Sequence, residues 1–110
     1  MCEFVKVISS KKGYIAQCIH CYGIEIVYGN CIIQLAEQQW ASFLQYIQHV
    51  LQTHPHKNSP LKTIMLDIAA TDFFQMYLTG SELNELLELL ERADDELKAQ
   101  KLIQSFNKTC

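Results

Sequence analysis

The first 35 residues contain four short runs rich in β-branched and aromatic residues, which are typical of β-strands. These runs are residues 3–9, 14–19, 24–28 and 31–35. A turn-rich segment, residues 9–13, separates the first two runs. Gly29-Asn30 separates the last two, and both residues tolerate the positive φ angles that a two-residue hairpin turn requires. The pattern predicts a four-stranded antiparallel meander.

From Glu37 the apolar residues follow the period of an α-helix. Apolar side chains recur at intervals of three or four residues, at Trp40, Phe43, Leu44, Ile47 and Leu51. We expect this helix to end at His54, because the residue before a proline is disfavoured in the α region. Ala36 lies where a serine or threonine cap would be expected. The helix is therefore predicted to start without a side-chain acceptor.

The second half of the chain repeats the order of strands followed by a helix. Residues 61–68 and 73–78 are predicted strands on either side of a turn at 69–72. Thr79 and Glu82 have the spacing of a capping box, and Leu78 and Leu83 have that of a hydrophobic staple. The helical stripe then continues through Leu83, Leu86, Leu87 and Leu90. A second helix is therefore predicted from about residue 80 to 93.

These elements predict one α+β domain over residues 1–110. We expect an antiparallel sheet of about six strands with two main helices, arranged as two strand-turn-strand-helix units, residues 1–53 and 61–93. Asp94 would interrupt the second apolar stripe, and a new stripe starts at Ala99 on a rotated face. Residues 94–110 are therefore predicted to be a frayed tail, a short C-terminal helix packed elsewhere on the domain, or an arm that docks on another subunit.

Composition and charge exclude several classes of protein. Hydrophobic residues make up 49% of the chain and charged residues 19%, as in globular proteins. No apolar run approaches the roughly 20 residues that a membrane helix needs, and no signal peptide is visible, so we expect a cytoplasmic protein without membrane contact. The net charge is −3 and the lysines are scattered, with Arg92 as the single arginine. Nucleic-acid binding is therefore disfavoured.

The cysteines offer the one group of residues with candidate chemistry. There are five, an odd number without a secretion signal, so we expect reduced thiols. Cys18-Ile-His-Cys21 has the spacing of half a zinc site, followed by Gly23 to permit a turn. Pairing the first two strands around residues 10–13 would bring Cys2 opposite Cys21 and Val5 opposite Cys18. The candidate ligands for zinc are then Cys2, Cys18, His20 and Cys21. Buried inert cysteines and a redox dithiol are the alternatives.

The same segment carries a resemblance. Cys18-Ile-His-Cys21, the Tyr28-Gly29-Asn30 turn and an early Cys2 resemble a family of short uncharacterised proteins from Bacteroidetes. A leucine-rich block completes the match, which spans roughly residues 1–93. This block consists of Leu78, Glu82, Leu83, Leu86, Leu90 and Ala93. The family has no assigned activity, so the resemblance implies a fold and no mechanism.

No catalytic motif of a known kind is present, so the sequence favours a non-enzymatic protein. The first hypothesis is a protein-interaction module, with the chain as a homodimer. It rests on the glutamine-rich face of the first helix and on the unplaced stripe after Ala99. The alternative is a small zinc-binding protein. A third hypothesis is an enzyme. Its nucleophile would be the thiolate of Cys18 or Cys21, aided by His20, which is the one nucleophile arrangement that the sequence offers.

Overall fold

The computed structural model of the chain describes residues 3–53, 60–62, 64–67 and 75–108. For Asp67, Gln75 and residues 104–108 it describes the backbone but not the side chains. The described elements are β1 (Phe4–Ser9), β2 (Gly13–Cys18), β3 (Ile24–Tyr28), β4 (Cys31–Leu35), a 3₁₀ turn (Glu37–Gln39), α1 (Trp40–Thr53), β5 (Ile64–Asp67), β6 (Gln75–Leu78) and α2 (Gly80–Lys108). The predicted α+β class is confirmed. The turn predicted at residues 69–72 lies outside the described residues.

The strands form two antiparallel sheets and not the single six-stranded sheet that the sequence predicted. Strands β1 to β4 form a meander in chain order, and β5 pairs with β6 in a separate hairpin. Alternate residues of this hairpin are buried in the common core: Ile64, Leu66, Met76 and Leu78. Since a two-stranded hairpin is marginal by itself, packing against this core holds it in place.

The turns of the meander depend on two glycines. Gly29 has a φ of 59° in the two-residue turn between Tyr28 and Cys31, as predicted from Gly29-Asn30. Gly13 begins β2 and lies so close to β3 that a Cβ added there would overlap the Val27 carbonyl. At Gly13 there is no space for a side chain, and at Gly29 the positive φ makes a side chain energetically unfavourable.

The pairing of β1 with β2 differs from the prediction by one residue. Val5 lies opposite Gln17, and Phe4 lies opposite Cys18, because the register shifts between Lys6 and Ile8. The shift is a β-bulge, which adds one unpaired residue to one strand. As a result, the consecutive residues Val7 and Ile8 both pack against the core. The predicted pairing of Val5 with Cys18 was wrong for this reason.

The start of α2 has the predicted capping box. The Glu82 N–H donates to Thr79 Oγ1 at 3.0 Å, and the Thr79 N–H donates to Glu82 Oε1 at 2.9 Å. The Tyr28 hydroxyl ties the meander to this turn by donating to the Glu82 carbonyl at 3.1 Å. Burial, followed by the charge of Glu85, raises the pKa of Tyr28, so the phenol stays protonated.

The start of α1 lacks such a cap, as predicted. Ala36 has no side-chain acceptor, and the chain enters the helix through a 3₁₀ turn. In this turn the Ala36 N–H donates to Gln39 Oε1 at 2.8 Å. The glutamine side chain therefore satisfies one of the backbone donors at this end of the helix.

Residues 94–108 continue α2 without a break, where the sequence predicted a tail or a separate short helix. Asp94 does interrupt the apolar stripe, but it has polar partners. The Trp40 indole N–H donates to Asp94 Oδ1 at 2.9 Å, and Lys98 Nζ lies 2.8 Å from Asp94 Oδ2. Burial opposes ionisation of Asp94, but the hydrogen bonds from Lys98 and Trp40 lower its pKa. Because the Asp94 carboxylate has hydrogen-bond partners, it can lie on this face without ending the helix.

The core lies between the meander, the two helices and the β5–β6 hairpin. Its side chains from the meander and α1 include Ile15, Ile26, Ile33, Phe43 and Ile47, and those from α2 include Leu83, Leu86, Leu90 and Ala93. Within the described residues, no helix combines the length and the apolar character needed to cross a membrane.

Candidate functional site

The segment that follows β2 folds into a tight turn that brings Cys18 and Cys21 together. The Tyr22 N–H donates to the Cys18 carbonyl at 3.0 Å, and the Cys18 N–H donates to the Gly23 carbonyl at 2.8 Å. Tyr22 has a φ of 63°. The sequence predicted that Gly23 would permit the turn, but the left-handed position is one residue earlier. A non-glycine residue in this conformation is uncommon and costs energy.

The sulfur of Cys18 is surrounded by hydrogen-bond donors. The His20 N–H lies 3.4 Å from Cys18 Sγ. The backbone N–H groups of Cys21 and Glu3 also donate to this sulfur, and so does the Cys21 thiol. Three backbone donors from two segments of the chain therefore converge on one side-chain atom. Such convergent N–H groups form a concavity that favours an anion.

These donors change the acidity of Cys18. The pKa of its thiol falls from 9.0 to about 6, chiefly because of the hydrogen bond from the Cys21 N–H. Burial opposes the shift, whereas the N–H groups of His20 and Glu3 and the Cys21 thiol add to it. Hydrogen bonds that favour the charged form therefore outweigh desolvation. The result is a sulfur that is stabilised as a thiolate.

The two sulfurs differ in their access to solvent. Cys18 is fully buried, at 0% exposure, and Cys21 is exposed. Gly23 lies against the second sulfur, since a Cβ added to Gly23 would be 3.4 Å from Cys21 Sγ. A reagent or ion from solvent therefore reaches Cys21 first, and it meets Cys18 only at the inner side of the turn.

His20 is close to the cysteines through its backbone, but its ring has a different neighbour. His20 Nε2 lies 3.9 Å from Glu3 Oε2, and both side chains are largely exposed. Cys2, the remaining predicted ligand, lies outside the described residues. Among the residues that are described, no group of three or more His, Cys, Asp or Glu side chains is arranged to hold a metal ion. Of the predicted set, Cys18 and Cys21 are brought into contact.

Sequence reasoning missed the donors around Cys18. The Cys-x-x-Cys spacing indicated a pair of sulfurs, but nothing in the residue types indicated that the N–H groups of His20, Cys21 and Glu3 would converge on one of them. The donation from Glu3 depends on the β1–β2 register, which continues in the Ile19 N–H bond to the Glu3 carbonyl at 3.0 Å. The bulge that sets this register has no clear signal in the sequence.

A second feature was also missed, a cleft of about 610 Å³ beside the cysteine turn. Its lining includes Tyr22, Ile24 and Trp40 on one side and Leu97, Lys98 and Lys101 of α2 on the other. Trp40 and Lys98 are both bonded to Asp94, so these two polar groups of the cleft already have partners. Of the cysteines that the structure describes, the third, Cys31, is half-buried and packs against the core, away from the turn.

Comparison with known proteins identifies a family. The chain matches the model of a family of unknown function, DUF6686, over residues 1–108. No significant match is found among curated proteins or among solved structures. The match covers the meander, both helices and the cysteine turn.

Proposed function

We propose that this chain, which belongs to the family of unknown function DUF6686, is a small zinc-binding protein whose site is built on the turn from Cys18 to Cys21. In this proposal Cys18 and Cys21 are thiolate ligands, Cys2 is a third thiolate ligand and His20 completes the set. A set of three sulfurs and one imidazole is typical of structural zinc sites.

The convergence of N–H donors on Cys18 Sγ is the observation that carries the proposal. A neutral thiol is a weak hydrogen-bond acceptor, so three N–H donors around it would be poorly used. A metal-bound sulfur keeps its negative charge, and N–H groups in the second shell stabilise that charge and fix the ligand's orientation. The His20 N–H at 3.4 Å and the N–H groups of Cys21 and Glu3 are suited to this role.

Contact between the two sulfurs supports chelation. The Cys21 thiol donates to Cys18, so both sulfurs already face the same space. A zinc ion would displace the thiol proton and bind both sulfurs at once, with release of protons to solvent. Because Cys21 is exposed and Cys18 is buried, the ion would enter from the Cys21 side.

The third and fourth ligands come from residues next to these donors. Cys2 immediately precedes Glu3, whose N–H donates to Cys18. The exposed His20 ring would bind through Nδ1, and a small rotation would let Nε2 donate to Glu3 Oε2, from which it now lies 3.9 Å away. A carboxylate that accepts the second ring N–H is the usual partner of a metal-bound histidine. Glu3 would then serve the site twice, through its N–H and its carboxylate.

Burial of Cys18 favours a metal site over a redox dithiol. In thiol–disulfide exchange, an accessible thiolate attacks a disulfide of the partner. The stabilised sulfur of this turn is Cys18, which is 0% exposed, whereas the exposed sulfur of Cys21 makes a hydrogen bond to it. This arrangement hinders attack by Cys18 and leaves chelation, which needs both sulfurs together.

Elemental analysis of the reduced full-length protein tests the proposal. After removal of metal with a chelator and reloading with zinc, we expect one zinc per chain and a characteristic thiolate charge-transfer absorption when cobalt replaces zinc. Cys18→Ser and Cys21→Ser are expected to weaken zinc binding by about 100-fold or more, because each removes a ligand. Cys31→Ser is the matched control, since Cys31 is a free cysteine elsewhere in the fold.

Two results would count against the proposal. Zinc content far below one per chain that does not respond to Cys18→Ser would reject a site at this turn. If zinc binds but Cys2→Ser leaves the affinity unchanged, the assignment of the third ligand is wrong.

The other residues of the proposed site are expected to have smaller effects. His20→Ala is expected to weaken zinc binding by about 10-fold to 100-fold, and Glu3→Gln by less.

A further inference from the structure

Helix α2 changes character halfway along its length. From Leu83 to Ala93 one stripe of side chains is buried in the core. Beyond Ala93 the burial ends: Leu97 is half-buried, and residues 98–103 are exposed. The second half of α2 therefore receives little stabilisation from its own domain.

The length of α2 explains the change. At a rise of about 1.5 Å per residue, the 29 residues of α2 span about 43 Å. The described chain measures 52 × 26 × 24 Å, so α2 is much longer than the two short dimensions. The last turns therefore extend past the core, and a helix without tertiary support is marginal in water.

The projecting turns nevertheless carry an apolar stripe. Leu102 and Ile103 are 60% and 59% exposed, and Ala99 lies on the same face one turn earlier. Phe106 continues the spacing of three or four residues in the sequence. At 100° per residue, Leu102 and Ile103 point well away from the face of Leu90 that meets the core. The domain cannot cover this stripe without breaking α2.

The charges around the stripe are arranged asymmetrically. Acidic residues come before it, at Asp95 and Glu96, and basic residues lie within and after it, at Lys98, Lys101 and Lys108. A parallel pair of such helices would place like charges together. An antiparallel pair would place the basic end of each helix near the acidic turn of the other, which is favourable. The segment is therefore complementary to a second copy of itself.

We propose that residues 95–108 of α2 pair antiparallel with the same segment of a second copy, which makes the domain a homodimer with a two-fold axis near Leu102 and Ile103. Leu102 of each copy meets Ile103 of the other, and Ala99 lies opposite residue 106. The interface is isologous, so it closes at two subunits. This inference does not depend on the zinc site, which lies on the meander.

Such an interface is small. About four helical turns on each side bury less surface than a standard stable complex, so we expect a dimer that dissociates in about the micromolar range. The apolar stripe supplies most of the affinity, and the charge pairs set the orientation.

The test is the molar mass of the full-length, reduced chain as a function of concentration, by light scattering and sedimentation. The expected result is a reversible change from the monomer mass of 12.7 kDa to twice that value. The double variant Leu102→Gln with Ile103→Gln is expected to stay monomeric at every concentration. Its thermal unfolding should change little, because both side chains are exposed.

Ile32→Gln is the matched control, since Ile32 is 61% exposed on β4, away from α2. It makes the same chemical change at the same exposure and should leave the dimer intact. The antiparallel orientation is tested by charge reversal. In this register Lys108 of one copy lies opposite residue 97 of the other, next to Glu96, so Lys108→Glu should raise the dissociation constant by about tenfold, and adding Glu96→Lys should restore much of the loss.

A chain that is monomeric at all concentrations overturns the proposal. A dimer that still forms in the Leu102 and Ile103 double variant but is lost with Ile32→Gln also overturns the proposal, because the interface then lies on the sheet. If the apolar stripe binds only an unrelated protein and the chain does not self-associate, the proposal that a second copy covers the stripe is wrong. Added salt should weaken the dimer if the charge pairs contribute, and an unchanged constant rejects the antiparallel assignment.

Discussion

The turn after β2 and the start of α2 both place backbone N–H groups around a side-chain acceptor, but the acceptors differ. At α2, one N–H donates to the neutral oxygen of Thr79 at 3.0 Å. At the turn, three N–H groups from His20, Cys21 and Glu3 donate to one sulfur. A hydroxyl needs no more than one donor to cap a helix. Donors around a sulfur favour its charged form, so the hydrogen bond at Thr79 stabilises the start of α2, whereas the donors at the turn lower the pKa of the Cys18 thiol.

The largest loss of stability is expected from Leu83→Ala at the start of α2. Leu83 is fully buried and occupies the staple position after the capping box. Its truncation should lower the free energy of unfolding by about 2–5 kcal/mol, because it leaves a cavity. Urea denaturation measures this loss. Asn84→Ala, an exposed neighbour, is the control, and zinc bound per folded chain should not change in either variant.

A smaller loss is expected from Thr79→Ala. Removing the hydroxyl leaves the Glu82 N–H without its acceptor at 3.0 Å, which should cost about 1 kcal/mol. Thr79→Ser keeps an oxygen at the same position and should recover most of the stability. A Thr79→Ser variant as unstable as Thr79→Ala would mean that the methyl group, and not the hydrogen bond, stabilises this end of α2.

The carboxylate of the capping box predicts a pH dependence. The hydrogen bond from the Thr79 N–H is the main cause that lowers the pKa of Glu82 below its ordinary value of 4.5, with Lys62 adding to it. A lowered folded-state pKa gives a contribution that is full above the unfolded value and is lost as the pH falls through the folded value. Glu82→Gln should therefore cost about 0.5 kcal/mol at pH 7 and less at pH 3. An equal cost at both pH values would contradict this assignment.

The smallest effect is expected at Tyr22. Its φ of 63° is tolerated better by asparagine than by tyrosine. Tyr22→Asn should therefore change the free energy of unfolding by only about 0.5 kcal/mol, towards higher stability, with unchanged zinc affinity. Tyr22→Val, a β-branched residue, should lower stability instead. If Tyr22→Asn weakens zinc binding as much as Cys21→Ser, the side chain and not the backbone shape defines the site.

Local signals in the sequence predicted most of the fold. Gly29-Asn30 marked the hairpin turn, and Thr79 with Glu82 marked the start of α2, because these features depend on residues within one turn of each other. The β-bulge after Lys6 was not predictable, since Val7 and Ile8 suit either face of a strand. The continuation of α2 past Asp94 was missed because its partner Trp40 is 54 residues away in the chain.

The part of the candidate site that could be predicted also depends on residues close together in the chain. The Cys-x-x-Cys spacing is local, and it identified the sulfurs that come into contact. The donors depend on backbone conformation, and a tyrosine gives no hint of a left-handed φ at position 22. The donation from Glu3 depends on strand pairing, which links residues 15 positions apart. Identity and spacing therefore indicate the candidate residues, but the hydrogen bonds that lower the pKa of the Cys18 thiol come from the tertiary fold.

The hydrogen bond between Trp40 and Asp94 gives the domain an internal optical reporter. Trp40 is the single tryptophan of the chain, and its indole N–H is held 2.9 Å from a carboxylate oxygen on α2. Indole emission responds to a nearby charge and to water, so the fluorescence of this one residue reports whether α2 is docked on α1. Stopped-flow emission, without any added label, would follow the docking of the two helices during folding and any movement of α2 when the cleft beside it is filled.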